Sequence, residues 1–260
     1  MPHILAERHA PTLAAFAAAK VVAAFDYDGT LAPIAPDPES APMRPITRRL
    51  LKAVARHYPC VVISGRRRAD LAACLRGVPV SHLSGNHGAE PWGSDAGHAE
   101  RIRKWRYQLE PRLSGFPGIV VEDKKYSLTI HYRHAPRKRA AMAAIDLAVR
   151  GLRGARAIPG KQTVNLLPRN AVNKGDALER SRRLLGCDAA IYVGDDDTDE
   201  DAFVRTRAGR LLGVRVGRRR GSMAAFYLSN QMEIDAFLFR LVELRSPMTP
   251  RRARVGAGTP

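Results

Sequence analysis

The chain has 260 residues, of which 45% are hydrophobic and 26% are charged. This balance is typical of a folded globular protein and excludes disordered, collagen-like and coiled-coil chains. Lys and Arg number 43 against 25 Asp and Glu, so the formal net charge is +18, which favours anionic partners such as phosphorylated metabolites or nucleic acid.

The first third of the chain alternates between short apolar runs and helical patterns. The run Val21–Phe25 predicts a strand that is buried on both faces of a parallel sheet. Further strands are predicted at 60–65 and 80–84, with helices over 44–57 and 68–76. This alternation predicts right-handed crossovers, with functional loops at the carboxyl ends of the strands.

The pattern changes in the middle of the chain. Two helices and four strands predict an α+β insert with an open antiparallel sheet; the helices are 98–110 and 136–150, and the strands are 118–122, 126–132, 155–158 and 162–167. The strand and helix alternation then resumes, with helices 174–185, 199–206 and 231–244 and strands 189–194 and 211–216.

The predicted fold class is therefore α/β, with a Rossmann-like parallel-sheet core that carries an inserted α+β cap. The core is assigned to residues 1–90 and 170–245, and the cap to residues 91–169. The tail 246–260 combines Pro, Gly and Arg without periodicity, which predicts disorder.

Two carboxylates follow the first predicted strand in the string DYDGT. Asp26 and Asp28 are two residues apart, which puts their charges on the same side of the chain. A divalent cation such as Mg²⁺ would make that arrangement favourable. One carboxylate can then attack an electrophile while the other acts as an acid and then as a base. The structural alternative is a strand-to-turn junction.

Three further motifs stand at predicted strand or helix ends. Ser64, Gly65 and Arg66 offer a hydroxyl and backbone N–H groups to a phosphate, although Ser-Gly is also a common turn pair. Lys174 opens a helix, where the dipole disfavours a cation, so it either neutralises a phosphate or is a surface lysine. Residues 195–201 hold six acids, which predicts a bound cation or a cationic neighbour.

The order D-x-D-G-T, S-G-R, Lys, G-D-D-x-T-D-E resembles the haloacid dehalogenase-like (HAD) phosphohydrolase superfamily over about residues 20–90 and 170–240. The resemblance implies that Asp26 forms an aspartyl-phosphate, and that Asp28 protonates the leaving group and then activates water. It also implies that Ser64 and Lys174 hold the phosphoryl group. The Mg²⁺ site that it implies consists of Asp26, the Asp28 backbone carbonyl, Asp195 and Asp199, supported by Asp196.

Within this superfamily, the chain is similar to trehalose-6-phosphate phosphatases in the strings FDYDGTLAPI, ISGR, GNHGAE, VEDKKYSLTIHYR, GK at 160–161 and GDDDTDEDAF. The resemblance covers most of residues 20–205 and implies a phosphoric monoester hydrolase that releases trehalose and phosphate. A cap over 93–168 would close over the sugar. The implied substrate contacts are Gly65, Arg66, His87, Glu90, Lys124, Arg133, Lys161 and Asn165.

Each of these contacts has a purely structural alternative. His87 and Glu90 could simply complete a loop, and Lys124 and Lys125 could be exposed at the tip of a hairpin. Arg133 could pair across strands with Glu122. Asn165 departs from the family pattern, which has Glu at this position of GKxxxE. The amide of Asn lacks the negative charge and one of the acceptor pairs that a Glu carboxylate offers to a substrate. Sucrose phosphate, mannosyl-3-phosphoglycerate or a hexose phosphomutase reaction therefore stay open as alternatives.

Other classes of protein are less well supported by the sequence. A nucleic-acid-binding protein would fit the charge, but the chain shows no helix-turn-helix, zinc finger or RNA-recognition signature.

The three cysteines lack C-x-x-C spacing, which argues against a disulfide framework and against structural zinc, and favours the cytoplasm. No apolar run reaches the roughly 18–20 residues that span a bilayer. A monomer acting on a small sugar phosphate is the favoured prediction.

Overall fold

The computed structural model describes residues 1–34, 42–92, 96–160, 162–205 and 209–246. The strands in these ranges are β1 (Val21–Phe25), β2 (Cys60–Ile63), β3 (His82–Ser84), β4 (Val120–Asp123), β5 (Leu128–His131), β6 (Ala155–Gly160), β7 (Thr163–Pro168), β8 (Ala189–Gly194), β9 (Leu211–Val216) and β10 (Phe226–Leu228). The helices are α1 (Ala10–Ala18), α2 (Pro45–His57), α3 (Arg68–Cys74), α4 (Ala96–Leu113), α5 (Lys138–Arg150), α6 (Lys174–Leu184), α7 (Glu200–Arg205) and α8 (Ile234–Arg245).

Six parallel strands form the larger sheet, in the order β10-β9-β8-β1-β2-β3. Strand β1 lies between β8 and β2, and all five of its residues are buried. Its alternate residues enter two hydrophobic clusters: Phe25 packs with residues of α1, α2 and α8, and Ala24 packs with residues of α6 and α7. Coverage of both faces explains why β1 is a continuous apolar run.

The smaller sheet is antiparallel, in the order β4-β5-β7-β6. Helices α4 and α5 cover one face, where Ile102 and Ile145 pack against Ile130 and Leu166. The alternate residues of the paired strands β5 and β7 that line the other face are polar, namely Thr129, His131, Thr163 and Asn165. Period-two alternation therefore separates a hydrophobic face under the helices from a polar face.

The polar face of the antiparallel sheet lies over the carboxyl ends of the parallel strands. Arg156 of β6 makes a two-pronged ion pair with Asp201 of α7, with N–O distances of 2.7 and 2.8 Å. Lys124, in the β4–β5 turn, donates from Nζ to the carbonyl oxygen of Gly65 at 3.3 Å, and its own carbonyl accepts from Asn86 at 3.0 Å. These contacts hold the two sheets around a shared cleft.

The predicted fold class is confirmed: a parallel sheet carries a separate antiparallel sheet with helices. The elements of the antiparallel unit, from Ala96 to Pro168, fall within the predicted cap range 91–169. Two elements were not predicted. Helix α1 was missed because its sequence has no clear apolar stripe, which agrees with the burial of only Leu13 and Ala17. Strand β10 was missed because it has only three residues.

The predicted tail lies almost wholly outside the described residues, which end at Ser246. That residue closes α8, since its backbone N–H donates to Val242 at 2.8 Å. Among the described residues, no helix is both long and apolar enough to cross a membrane.

Candidate active site

An open cleft of about 850 Å³, part of it continuous with solvent, lies between the two sheets. Its floor is formed by the residues that follow β1, β2 and β8 together with the start of α6, and its roof is the polar face of β5 and β7. Most residues predicted from the sequence line it, namely Asp26, Asp28, Ser64, Gly65, Arg66, His87, Lys124, Arg133, Asn165, Lys174, Asp195 and Asp196.

A buried ion-pair network joins two of these strand ends. Lys174 is 2% exposed, and its Nζ lies 2.8 Å from Oδ1 of Asp26 and 2.7 Å from Oδ1 of Asp199. A capping box between Asn173 and Asp176 starts α6 at this lysine. The lysine predicted to be misplaced for the helix dipole is therefore fixed at the cleft floor, where two carboxylates compensate its charge.

For both Asp26 and Lys174, burial and the ion pair shift the pKa in opposite directions. Burial raises the pKa of the Asp26 carboxyl well above its usual range, and the Lys174 ammonium opposes that shift. Burial would lower the pKa of Lys174, but Asp199 and Asp26 outweigh it and raise that pKa above its ordinary value. The cation is therefore retained at every physiological pH.

Asp199 accepts hydrogen bonds on both carboxylate oxygens. Besides Lys174, Oδ1 accepts from the Tyr192 hydroxyl at 2.6 Å. Oδ2 accepts from the backbone N–H groups of Asp195 and Asp196, at 2.9 and 2.8 Å. The fully buried Asp199 side chain thus fixes the loop after β8 and orients the lysine.

Asp26, Asp195 and Asp199 form an acidic cluster in which one oxygen of each lies within 4.8 Å of the others. Gly29 passes directly beside this cluster: its φ is +87°, and a Cβ there would lie 2.2 Å from Oδ2 of Asp195. Only a glycine leaves the Asp195 carboxylate its place.

We expect Gly29→Ala to weaken binding of a divalent cation by about tenfold or more, because the new methyl group must displace the Asp195 carboxylate. Titration of metal-free protein with Mg²⁺ in a calorimeter measures this. The matched control is Gly221→Ala, since Gly221 has a φ of +84° and a Cβ there meets no described atom within 4 Å. Equal weakening in both variants would mean that backbone strain, not the contact with Asp195, is responsible.

Asp28 has a cation of its own. Arg66 makes a two-pronged ion pair with it, from Nε at 2.8 Å and from Nη2 at 2.6 Å, and the guanidinium lies over the Tyr27 ring at 5.1 Å. Ser64, next to this pair, is 1% exposed, and its Oγ accepts from the backbone N–H of Arg66 at 3.2 Å. The two aspartates after β1 are therefore held by different loops.

His87 is buried at the cleft wall with φ at +56°. Its ring packs on Gly65, where a Cβ would come within 2.5 Å of Cε1. Asn165 lies close enough to favour its protonated form, yet neither ring nitrogen has a partner of hydrogen-bond geometry among the described residues. Burial, followed by the charges of Lys174 and Lys124, lowers the pKa of His87 well below its usual value.

The lowered pKa of His87 predicts a specific pH dependence of stability. Because the folded chain binds the proton less readily than the unfolded chain, the stability that His87 contributes is complete above pH ~6.5 and is lost as the pH falls below it. We expect the free energy of unfolding to fall more steeply from pH 7 to 5 in wild type than in His87→Asn, as measured by urea unfolding. The exposed His134 supplies the control, His134→Asn, which should keep the wild-type slope.

Two predicted contacts remain, Glu90 and Lys161. Glu90 does not line the cleft among the described residues; its Oε2 accepts from the backbone N–H of Arg68 at 2.6 Å and so supports the loop before α3. Lys161 lies outside the described residues.

The roof of the cleft is rich in hydrogen-bond donors. Glu122 is engaged by His131 at 2.9 Å and by Lys124 at 3.6 Å, so Lys124 contacts both sheets. Asn165 is 6% exposed, and its Oδ1 accepts from Thr129 at 2.9 Å. Its amide nitrogen, which can only donate, is then the group left for other partners.

Several residues of the site were not found from the sequence. Thr198, Thr129, His131 and Thr163 also line the cleft, and Tyr192 holds Asp199 from below. The hydroxyl of Tyr192 within the apolar string AIYVG was a usable signal, because a buried tyrosine normally has a polar partner. The threonines carry no such signal, since Thr is common on any strand.

Comparison with known proteins agrees with this geometry. The sequence profile described as trehalose-phosphatase matches residues 24–226. A trehalose-phosphate phosphatase of Mycobacterium leprae is 32% identical over 242 residues, covering 84% of this chain and 56% of the relative. A probable trehalose-phosphate phosphatase of Oryza sativa subsp. japonica is 32% identical, covering 91% of this chain and 75% of the relative. The chain thus spans little more than half the length of the mycobacterial relative.

Among solved structures, the C-terminal domain of trehalose-6-phosphate phosphatase from C. albicans has the same fold, with a TM-score of 0.77. The superposition covers 94% of this chain and 99% of that domain, and the two sequences are 23% identical over it. The profile match begins within β1 and includes the loop after it, the whole antiparallel unit and the acidic loop. The chain therefore belongs to the trehalose-phosphatase family.

Proposed function

We propose that this chain is a Mg²⁺-dependent phosphatase that hydrolyses trehalose 6-phosphate to trehalose and phosphate. The observation that carries the proposal is the buried lysine bridge: Lys174 holds Asp26 and Asp199 at 2.8 and 2.7 Å on the floor of a cleft. Such a floor presents one nucleophile beside a fixed cation, the arrangement that phosphoryl transfer requires.

The donor set fits Mg²⁺, because this ion prefers oxygen ligands and usually binds through one or two carboxylates. We assign the ligands to Asp26, Asp195 and the backbone carbonyl of Asp28, with Asp199 as the support, since both oxygens of Asp199 already accept hydrogen bonds. The glycine at position 29 leaves space for Asp195. When bound, the ion would neutralise charge on the phosphoryl oxygens.

The residues divide the reaction into two steps. A carboxylate oxygen of Asp26 attacks phosphorus, the bond between phosphorus and the sugar oxygen breaks, and Asp28 gives its proton to that oxygen. In the second step, Asp28 removes a proton from water, whose oxygen attacks phosphorus and releases phosphate with the Asp26 carboxylate restored. Lys174 and Ser64 would hold the phosphoryl group throughout. Arg66 pairs with the ionised carboxylate of Asp28, which is the form that removes the proton from water in the second step; the first step uses the protonated form of Asp28.

The roof supplies groups for a sugar. Neutral His87, whose two ring nitrogens have no hydrogen-bond partner within the described part of the chain, offers one donor and one acceptor to hydroxyl groups. Lys124, Arg133 and Asn165 add donors from the antiparallel sheet, and the cap formed by that sheet would exclude water from the phosphorylated aspartate.

Free phosphate release in the presence of Mg²⁺ tests the proposal. The substrates are trehalose 6-phosphate, sucrose 6-phosphate, glucose 6-phosphate and mannosyl-3-phosphoglycerate, each with and without EDTA. We expect preferential, EDTA-sensitive release from trehalose 6-phosphate. Conversion of glucose phosphates without free phosphate would indicate a phosphomutase, and no release from any of the four would contradict the proposal.

Asn165 favours a second candidate, a phosphatase for another glycosyl phosphate. Its amide replaces the family's Glu and offers a donor where a carboxylate would accept from sugar hydroxyls. We expect Asn165→Glu to raise kcat/KM for trehalose 6-phosphate by about tenfold relative to the other three substrates, the scale of one well-placed hydrogen bond. An unchanged ratio would remove Asn165 from the choice of substrate.

A further inference from the structure

Arg215 is a buried charge that the reaction does not use. It lies in β9, within the otherwise apolar string LLGVRV, and is 5% exposed. A buried guanidinium is costly unless its donors are satisfied, so its partners indicate what it does.

Those partners belong to the loop that follows β8. Nη2 of Arg215 donates to the carbonyl oxygen of Asp195 at 2.7 Å, and Nη1 donates to the carbonyl oxygen of Asp196 at 3.0 Å. Nη1 also lies 2.7 Å from Oε1 of Glu200. One rigid side chain therefore holds two consecutive carbonyl groups and the start of α7.

The same two residues are held from the opposite side. Asp199 accepts from the N–H groups of Asp195 and Asp196, while Arg215 donates to their carbonyl groups. Both polar groups of each residue's backbone thus have a charged partner. The backbone that carries the Asp195 carboxylate is fixed in position before any ligand arrives.

We propose that Arg215 is a positioning residue for the metal site, and that it tightens Mg²⁺ binding through geometry although its charge opposes a cation. The inference rests on the proposed function in one respect, that Asp195 is a ligand of Mg²⁺. A nearby positive charge repels Mg²⁺ by itself. Replacing Arg215 therefore has two opposite expected effects on the Kd for Mg²⁺. Loss of the positioning contacts would raise the Kd, whereas loss of the positive charge would lower it.

The test measures the Kd for Mg²⁺ by calorimetry on metal-free Arg215→Met and Arg215→Lys. We expect the Kd to rise by about tenfold or more in both, the usual range for a residue that orients a metal ligand. Lysine keeps the charge but lacks the planar fork that reaches two carbonyl groups. We also expect saturating Mg²⁺ to restore much of kcat, which a general loss of folding would not allow.

Arg219→Met is the matched control. Arg219 is an ion-pair partner of Asp197 in the same acidic segment, so its loss removes the same charge without freeing a carbonyl of the loop. Its Kd should stay within about twofold of wild type or fall. If Arg215→Met bound Mg²⁺ as tightly as wild type, or if Arg215→Lys restored the wild-type Kd, the inference would be wrong. Should Arg215→Met fail to fold by circular dichroism, Arg215→Lys alone decides.

The outcomes for the two proposals are separable. Wild type that binds Mg²⁺ but releases no phosphate overturns the proposed function and leaves the Kd comparison intact. Active wild type with unchanged Kd values in the variants overturns only the role of Arg215. Wild type that binds no Mg²⁺ overturns both.

Discussion

Asp26→Asn should lower phosphate release by about 10⁴-fold or more, because an amide cannot attack phosphorus and no phosphorylated intermediate can form. The substitution keeps the shape of the side chain, and Lys174 keeps its second partner, Asp199. We therefore expect the loss to appear in kcat at saturating substrate. Rapid-quench trapping should detect a phosphorylated protein in wild type and none in the variant.

The same variant should fold at least as stably as wild type in EDTA. Burial raises the pKa of Asp26, so the folded chain binds the proton more tightly than the unfolded chain, and the stability that Asp26 contributes falls as the pH rises above about 4. Asp146→Asn, on the exposed side of α5, is the matched control and should keep full activity. Activity of Asp26→Asn within 100-fold of wild type would assign the nucleophile elsewhere.

Lys174→Met should have the largest effect on stability, about 3 to 5 kcal/mol at neutral pH in EDTA. The substitution removes the shared partner of Asp26 and Asp199 and leaves two buried carboxylates without it. Because the pKa of Lys174 is raised on folding, the full contribution is present below pH ~10.4 and is lost only above that pH. Activity should fall as well, because the phosphoryl group loses a cation.

Urea unfolding of metal-free protein measures this, and Lys104→Met is the control. Lys104 forms an ion pair with Glu100 at 2.7 Å, but its side chain is 69% exposed, so solvent screens the pair and its loss should have a far smaller effect on stability. Equal effects of the two substitutions would contradict a structural role for the bridge.

The positions of the site residues were predictable wherever they follow directly from strand ends. Asp26, Ser64 and Asp195 each come immediately after an apolar run, and the ends of parallel strands meet at one edge of a sheet. Their convergence therefore needs only the strand pattern. Lys174 was identifiable because a cation at a helix start conflicts with the dipole.

The pairing of side chains across the site was not predictable in the same way. The spacing of Asp26 and Asp28 suggested two adjacent charges that share one cation, whereas Lys174 pairs with the first and Arg66 pairs with the second. Such pairing depends on the rotamers of residues in different loops. The role of Arg215 was missed for a related reason, because its partners are backbone carbonyl groups, which carry no signature in a sequence.

The position of β1 in the sheet bears on how the chain is made. Strand β1 pairs with β8, from Val21 against Ala189 to Phe25 against Val193. One edge of this central strand therefore stays unpaired during synthesis until a partner about 170 residues further along the chain has been made. At ribosomal rates of about 5 to 20 residues per second, the wait is on the order of 10 to 30 s. During that interval the backbone N–H and C=O groups along this edge of β1 are unpaired, so we expect the nascent chain to be prone to mispairing there until β8 has been synthesised.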